Sequence, residues 1–331
     1  MRRRAFLLGL GTTAVLAGCS AVPISRPPVQ PPADPTGVVL RVGDQKGGIQ
    51  SLLKAAKGLA GAPYRVEWTT FSAGPPLIEA ARAGAIDVGY VGNTPVIFAA
   101  AAKARVQLVA AARGNVVSDA ILVPRDSPIR AVNDLRDQRI AVGKGTSAHG
   151  QLLLTLRAAG LTIDDVDPTY LSPADAYGAF KQGQIDAWAV WDPYTAQAQL
   201  ETGARILADG TGTANGYSFQ VASNQTLADP RTQAALDDYL RRVDAAMRFS
   251  DTHRPERARS WSAETKLPIA VTTIATDRGP DLPVPMDETL VASQQDLADA
   301  FSDAGVIPGR VRFADVIDRR FDSGRRWAPP T

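Results

Sequence analysis

Short apolar runs alternate with amphipathic stretches through residues 37–216. The runs at 38–42, 66–70, 86–90, 106–112, 120–123, 140–142 and 185–190 have the length of strands. Between many of them apolar residues recur at helical spacing. Several such stretches open on a polar residue and a proline: Thr94-Pro95, Ser127-Pro128, Ser172-Pro173 and Asp192-Pro193. A capping side chain accepts from an orphaned N–H, and proline at the first helical position gives up nothing. The alternation predicts an α/β protein with mostly parallel sheets flanked by helices. Beyond Asp229 the pattern turns helical, notably over 231–248 and 287–304, and this tail is expected to pack outside the sheets. Segments 71–95 and 170–193 share one order of signals. Each has a strand end, Ser, a helix opening near Pro, Gly two residues before Ile-Asp, a strand, and Asn or Asp ahead of Pro. The echo fits the common grammar of α/β turns or two related lobes facing one cleft. We take the second as the architecture, with lobe 1 at 37–123 plus 217–331 and lobe 2 at 124–216.

The first 36 residues follow different rules. Arg2, Arg3 and Arg4 precede an apolar stretch at 5–17, too short for an ordinary membrane-spanning helix, so residues 1–18 read as a signal peptide. The stretch ends in Leu16-Ala17-Gly18-Cys19, which resembles a bacterial lipobox and implies cleavage before Cys19 and a lipid on its thiol. The basic pair also resembles a twin-arginine signal, leaving both export routes open. Residues 19–36 hold six prolines and favour an extended polyproline leash at ~3.1 Å per residue. The expected location is therefore extracytoplasmic, anchored to the bacterial membrane by the lipid.

Composition narrows the chemistry. With 45% hydrophobic and 21% charged residues the chain is globular, and a net charge of +2 favours no nucleic-acid partner. One Cys and two His leave no disulfide and no Cys/His metal site, and no cofactor is expected. Ligands of α/β sheets sit beyond the carboxyl ends of strands, where helix starts offer free N–H donors and a partial positive charge. Ser72-Ala73-Gly74, Asn93-Thr94 and the stretch from Lys144 through Gly145, Thr146, Ser147 and Ala148 to His149 are such junctions. An oxyanion suits them, and proline at 146 should weaken its binding by deleting one donor. "VGKGTSAHG" is neither a dinucleotide fingerprint nor a Walker A loop, because the third Gly is misplaced and Gly-Lys is followed by Gly.

Three motifs, FSAGPP at 71–76, KGTSAH at 144–149 and WDPY at 191–194, with their flanking segments, resemble the aliphatic-sulfonate-binding proteins of ABC importers. These are relatives of the taurine and nitrate receptors, and the resemblance runs along most of residues 38–311. It implies a two-lobed, type II periplasmic-binding-protein fold that closes on its ligand and hands it to a permease and ATPase, working as a monomer. It also implies that the sulfonate head meets Ser72, Ala73, Gly74, Asn93, Thr94, Gly145, Thr146 and Ser147, with Gln45 reaching the same cleft. His149 either donates to the ligand or packs structurally. Trp191 either covers the organic part or belongs to the core, and Asp192 caps a helix or pairs a ligand amine. Arg278 is a counter-charge facing the second lobe or a solvated Arg, while His253, Trp261 and Trp327 read as structural. Asp44, beside Gln45, would oppose an anion unless it points away or binds a cationic part of the ligand. Taurine, nitrate and a thiamine-type pyrimidine are the alternative ligands. A sulfinate desulfinase shares this fold but needs a cleft thiolate, and the only Cys lies at the lipid site, so a receptor rather than an enzyme is expected.

Overall fold

The computed structural model describes residues 33–325. The expected signal peptide, Cys19 and all but the end of the expected leash lie outside the described residues, as does Trp327. In chain order the elements run β1 (Val39–Gln45), α1 (Ile49–Ala55), β2 (Arg65–Phe71), α2 (Gly74–Arg82), β3 (Val88–Gly92), α3 (Asn93–Ala101) and β4 (Val106–Arg113). The chain then crosses to β5 (Ala120–Val123), β6 (Arg139–Val142), α4 (Ser147–Ala158), β7 (Asp167–Tyr170), α5 (Pro173–Lys181), β8 (Ala187–Val190), α6 (Tyr194–Thr202) and β9 (Arg205–Asp209). It returns through β10 (Tyr217–Ser223), α7 (Pro230–Thr252), α8 (Arg254–Thr265), α9 (Ile269–Asp277), β11 (Leu282–Val284) and α10 (Glu288–Asp303).

Two sheets result, ordered β11-β4-β10-β3-β1-β2 and β7-β6-β8-β5-β9. Every expected strand is present, and β7, β9, β10 and β11 add to them. The α/β class stands, but the sheets are mixed. β1 pairs parallel with β2 and β3, and β6 with β7 and β8, whereas β10 runs antiparallel to β3 and β4 and β5 antiparallel to β8 and β9. β10 is the chain's return from the other lobe, so its direction is set by the crossing. β5, assigned above to the end of lobe 1, pairs in the second sheet. The two echo segments occupy matching places, β2-α2-β3 in one sheet and β7-α5-β8 in the other.

The cap-and-proline signal succeeds unevenly. Ser172 caps α5, accepting from the Asp175 amide at 3.3 Å, and Asp192 accepts from Ala196 at 3.1 Å at the start of α6. Ser127-Pro128 opens no helix, and α3 begins at Asn93, which leaves Pro95 in its third position.

The lobes are joined by residues 114–119 and 210–216, which run side by side. The Gly114 amide donates to the Gly216 carbonyl at 2.9 Å, and the Gly210 amide to Val116 at 3.2 Å. Gly216 has φ of 71° and a Cβ there would stand 2.6 Å from the Gly114 carbonyl oxygen, so only glycine fits. A continuous apolar core runs through Leu77, Val91 and Ile97 to Ile121, Ile140 and Leu152, with Phe301 of α10 packed against it. α10 thus covers the join, while α8 and α9 lie near the cleft mouth, where Ala196 of α6 packs on Leu267, Val271 and Ala275.

Candidate functional site

The two lobes enclose a cleft of about 250 Å³ beyond the carboxyl ends of β1, β3 and β8. α1, α2, α3, α4 and α6 begin at it, α5 starts away from the wall as the counterpart of α2, and the six divide into two kinds. α1, α5 and α6 are closed by carboxylate or hydroxyl acceptors: Asp44 accepts from Ile49 at 2.8 Å and Gln50 at 3.1 Å, Ser172 from Asp175, and Asp192 from Ala196. α2, α3 and α4 start at Ala73, Gly92 and Thr146 with no side-chain cap. Thr146 is a good capping residue by type, yet its hydroxyl turns back to donate to the Gly143 carbonyl at 2.7 Å.

The three open starts are neighbours. A Cβ on Gly74 would lie 2.5 Å from Pro95, one on Gly92 3.0 Å from the Ser147 Cβ, and one on Gly150 2.4 Å from the Thr94 hydroxyl. The first contact joins α2 to α3, and the others join α3 of lobe 1 to α4 of lobe 2. Glycine at these positions lets helix starts from both lobes converge on the cleft. Pro75, Pro76 and Pro95 carry no N–H, so the first-turn donors come down to Gly74, Asn93, Thr94, Ser147 and Ala148.

Around them stands a charged wall. Lys46 reaches across the cleft, its Nζ 5.0 Å from the Tyr194 ring centre, and burial lowers its pKa. Arg257 lies under Trp261 at 4.5 Å and donates to the Gly47 carbonyl at 3.1 Å, with burial pulling its pKa down to about 10. Asp281 accepts from the Tyr90 hydroxyl at 2.5 Å, and burial raises its pKa. Asp119 accepts from the Ser147 hydroxyl at 3.3 Å, and its pKa is pushed up to about 7 by burial. Asp44 is held up at about 6 by burial despite its two amide donors. Its carboxylate is turned onto α1 and answers the objection that it would face an anion.

Of the expected residues, the structure brings Gln45, Gly74, Asn93, Thr146, Ser147, Trp191 and Asp192 to the cleft wall. Gln45 Nε2 donates to the Tyr90 carbonyl at 2.9 Å, and Asn93 Nδ2 to Asn215 Oδ1 at 2.8 Å. Ser72 is exposed outside the cleft, Ala73 is the buried residue before α2, and the Thr94 side chain is buried against Asn93 Oδ1 at 2.9 Å. The Thr146 amide is already spent on the Gly143 carbonyl at 3.2 Å, so the donor sought at 146 lies one residue on. Gly145 and His149 serve each other instead of the cleft: the Gly145 amide donates to His149 Nδ1 at 3.1 Å. The imidazole is fully buried among Phe98, Tyr170 and Phe301, and burial lowers its pKa to about 4. Arg278 is not solvated and does face the second lobe as a counter-charge, but to a carboxylate of that lobe and not to the cleft. Its guanidinium meets both Asp192 oxygens at 2.5 Å and Gln199 Oε1 at 2.5 Å, joining the end of α9 to lobe 2. Asp192 is thereby ion-paired as well as capping α6.

Trp261, assigned above a structural role, forms part of the wall, with Lys46, Tyr90, Asn115, Asp119, Tyr217, Arg257 and Asp281. Tyr90 sits near the carboxyl end of β3 and was accessible to the strand-end rule. Lys46, directly after β1, was accessible in the same way, whereas the others come from the crossings, the start of β10 or the tail, where no local pattern marks them. Among the described residues no group of His, Cys, Asp and Glu is arranged to hold a metal ion.

Residues 59–261 match the family of ABC-transporter, phosphonate, periplasmic substrate-binding proteins. The alkanesulfonate-binding protein SsuA from Xanthomonas axonopodis pv. citri, solved bound to MOPS, is 34% identical, with a TM-score of 0.79 over 86% of this chain and 99% of that one. The periplasmic aliphatic sulphonate binding protein SsuA from Escherichia coli is 36% identical, with a TM-score of 0.75 over 85% and 98%. The taurine-binding periplasmic protein of Escherichia coli is 31% identical over 146 residues, 44% of each chain.

Proposed function

This chain belongs to the periplasmic substrate-binding proteins of ABC transporters, in the group that includes the aliphatic-sulfonate-binding proteins, and from that premise we propose how it captures its ligand. A sulfonate head is held by the amides of Gly74, Asn93, Thr94, Ser147 and Ala148, and the organic part lies against Trp191 and Tyr217. The observation carrying this reading is the division of helix starts: the three without side-chain caps are those that touch one another across the lobes. Hydrogen bonds to a charged group contribute about 1.5–3 kcal/mol each, so four or five leave micromolar affinity, about −8 kcal/mol, after desolvation and immobilisation. Only the closed form completes the contacts, so the ligand shifts the lobes toward closure.

Ser147→Pro tests the arrangement. Thr146 is extended, with φ of −90° and ψ of 167°, as a residue before proline must be, and proline suits the first helical position. The variant should keep its fold and lose tenfold or more in sulfonate affinity by titration calorimetry, while Ser147→Ala loses far less. Equal affinities for the two variants would reject the assignment. In a thermal-shift panel the midpoint should rise with alkanesulfonates and not with nitrate or aminopyrimidines. Tethering belongs to the same proposal: Cys19 carries a lipid, and Cys19→Ser moves the protein from the membrane to the soluble fraction. The reading as a receptor rather than an enzyme is supported by the relatives that match most of the chain, which are named as binding proteins.

A further inference from the structure

Resting on the sulfonate reading above, we propose that Asp119 makes this receptor select sulfonates that also carry a protonated nitrogen, zwitterionic aminoalkanesulfonates over plain alkanesulfonates. A sulfonate is fully ionised and has no proton to give, so a carboxylate beside its site repels it unless something positive intervenes. Three carboxyl groups stand in the cleft wall, and two have strong partners. Asp192 is bound by Arg278 at 2.5 Å, and Asp281 accepts from Tyr90 at 2.5 Å. Among the described residues Asp119 meets only the Ser147 hydroxyl, at a long 3.3 Å, and it adjoins the helix start assigned to the anionic head.

The cations of the wall do not compensate it. Arg257 is spent on the carbonyls of Gly47 and Gly48 and the hydroxyl of Ser51, and Lys46 lies over Tyr194. Asp192 and Asp281 both bear on Asp119 as like charges and, after burial, help to hold its proton on. A cleft with that balance takes an anion at lower cost when the ligand brings its own positive charge, placed against Asp119 while the head sits on the α3 and α4 amides.

Titration calorimetry with taurine and propane-1-sulfonate, which have the same number of heavy atoms, tests this on the mature chain. At pH 8 the wild type should bind taurine at least tenfold more tightly. In Asp119→Asn that ratio should fall to about one, with propane-1-sulfonate held no more weakly than before, and Asp119→Glu should keep part of the preference. A wild-type ratio near one, or a ratio untouched by Asp119→Asn, overturns the inference and leaves the sulfonate reading standing. Failure of the wild type to bind either sulfonate overturns both readings.

Discussion

His149 shows how a residue type can mislead. A histidine one turn inside a helix that opens toward a cleft suggests a ligand donor, yet its ring faces Phe98, Tyr170 and Phe301. Its Nδ1 accepts from Gly145, which requires the neutral form, and burial followed by the Lys144 charge lowers the pKa to about 4. The unfolded chain takes up this proton near pH 6.5, whereas the folded one resists until about 4. The stability His149 contributes is therefore complete above pH 6.5 and is lost as pH falls to 4, on the order of 3 kcal/mol. Asp44 and Asp119, with raised pKa values, act in the opposite sense over the same range. The informative quantity is then the difference from His149→Leu, measured by urea unfolding. It should shrink steadily between pH 6.5 and 4, and a flat difference would contradict the buried neutral ring. Nothing in Lys144–Gly150 as a string distinguishes inward from cleftward, because that depends on Phe301, more than 150 residues away.

At the scale of elements, the sites turn on which helix starts are capped. Ala73 and Gly92 have no acceptor side chain, so two open starts were legible from residue type. Thr146 was not, since its hydroxyl has two possible targets and the turn at Gly143 decides between them. The packing that brings α3 to α4 makes a paired prediction. In a helix Gly→Ala gains about 1 kcal/mol. Gly178 of α5 has no atom within 4 Å of a built Cβ, so Gly178→Ala should raise the thermal midpoint. Gly150→Ala would put that Cβ 2.4 Å from the buried Thr94 hydroxyl, and overpacking of this kind costs about 1–3 kcal/mol. It should lower the midpoint despite the same gain in propensity. Two midpoints moving in the same direction would show that α3 and α4 separate easily.

Across the whole molecule, the Arg278–Asp192 pair is the polar clasp between lobes, with side chains 13% and 6% exposed. Opening the cleft hydrates both groups, so the loss of one partner falls on the closed form more than on the fold. Breaking a buried pair costs about 3–5 kcal/mol, an upper bound where the lobes can part. Arg278→Ala should weaken ligand binding at least tenfold and enlarge the radius of gyration of the ligand-free protein in solution scattering. Unaltered scattering and affinity would assign the pair to surface decoration.

Much of the local order was accessible to the sequence: seven strand-length runs, helical spacing, the two echo segments and most strand-to-helix junctions follow from periodicity and backbone hydrogen bonding within a few residues, whereas β7, β9, β10 and β11 and the absence of a helix at Ser127-Pro128 were not. The motifs at 71–76, 144–149 and 191–194 carried the family as well. Tertiary structure alone decided that the start at Thr146 stays open, which charges meet and which strands run backwards. Asp119 with Ser147, Arg278 with Asp192, and β10 between β3 and β4 are pairings across 28, 86 and more than 100 residues. A hydrogen bond or ion pair of that span exists only once the lobes have packed, and no local pattern records it.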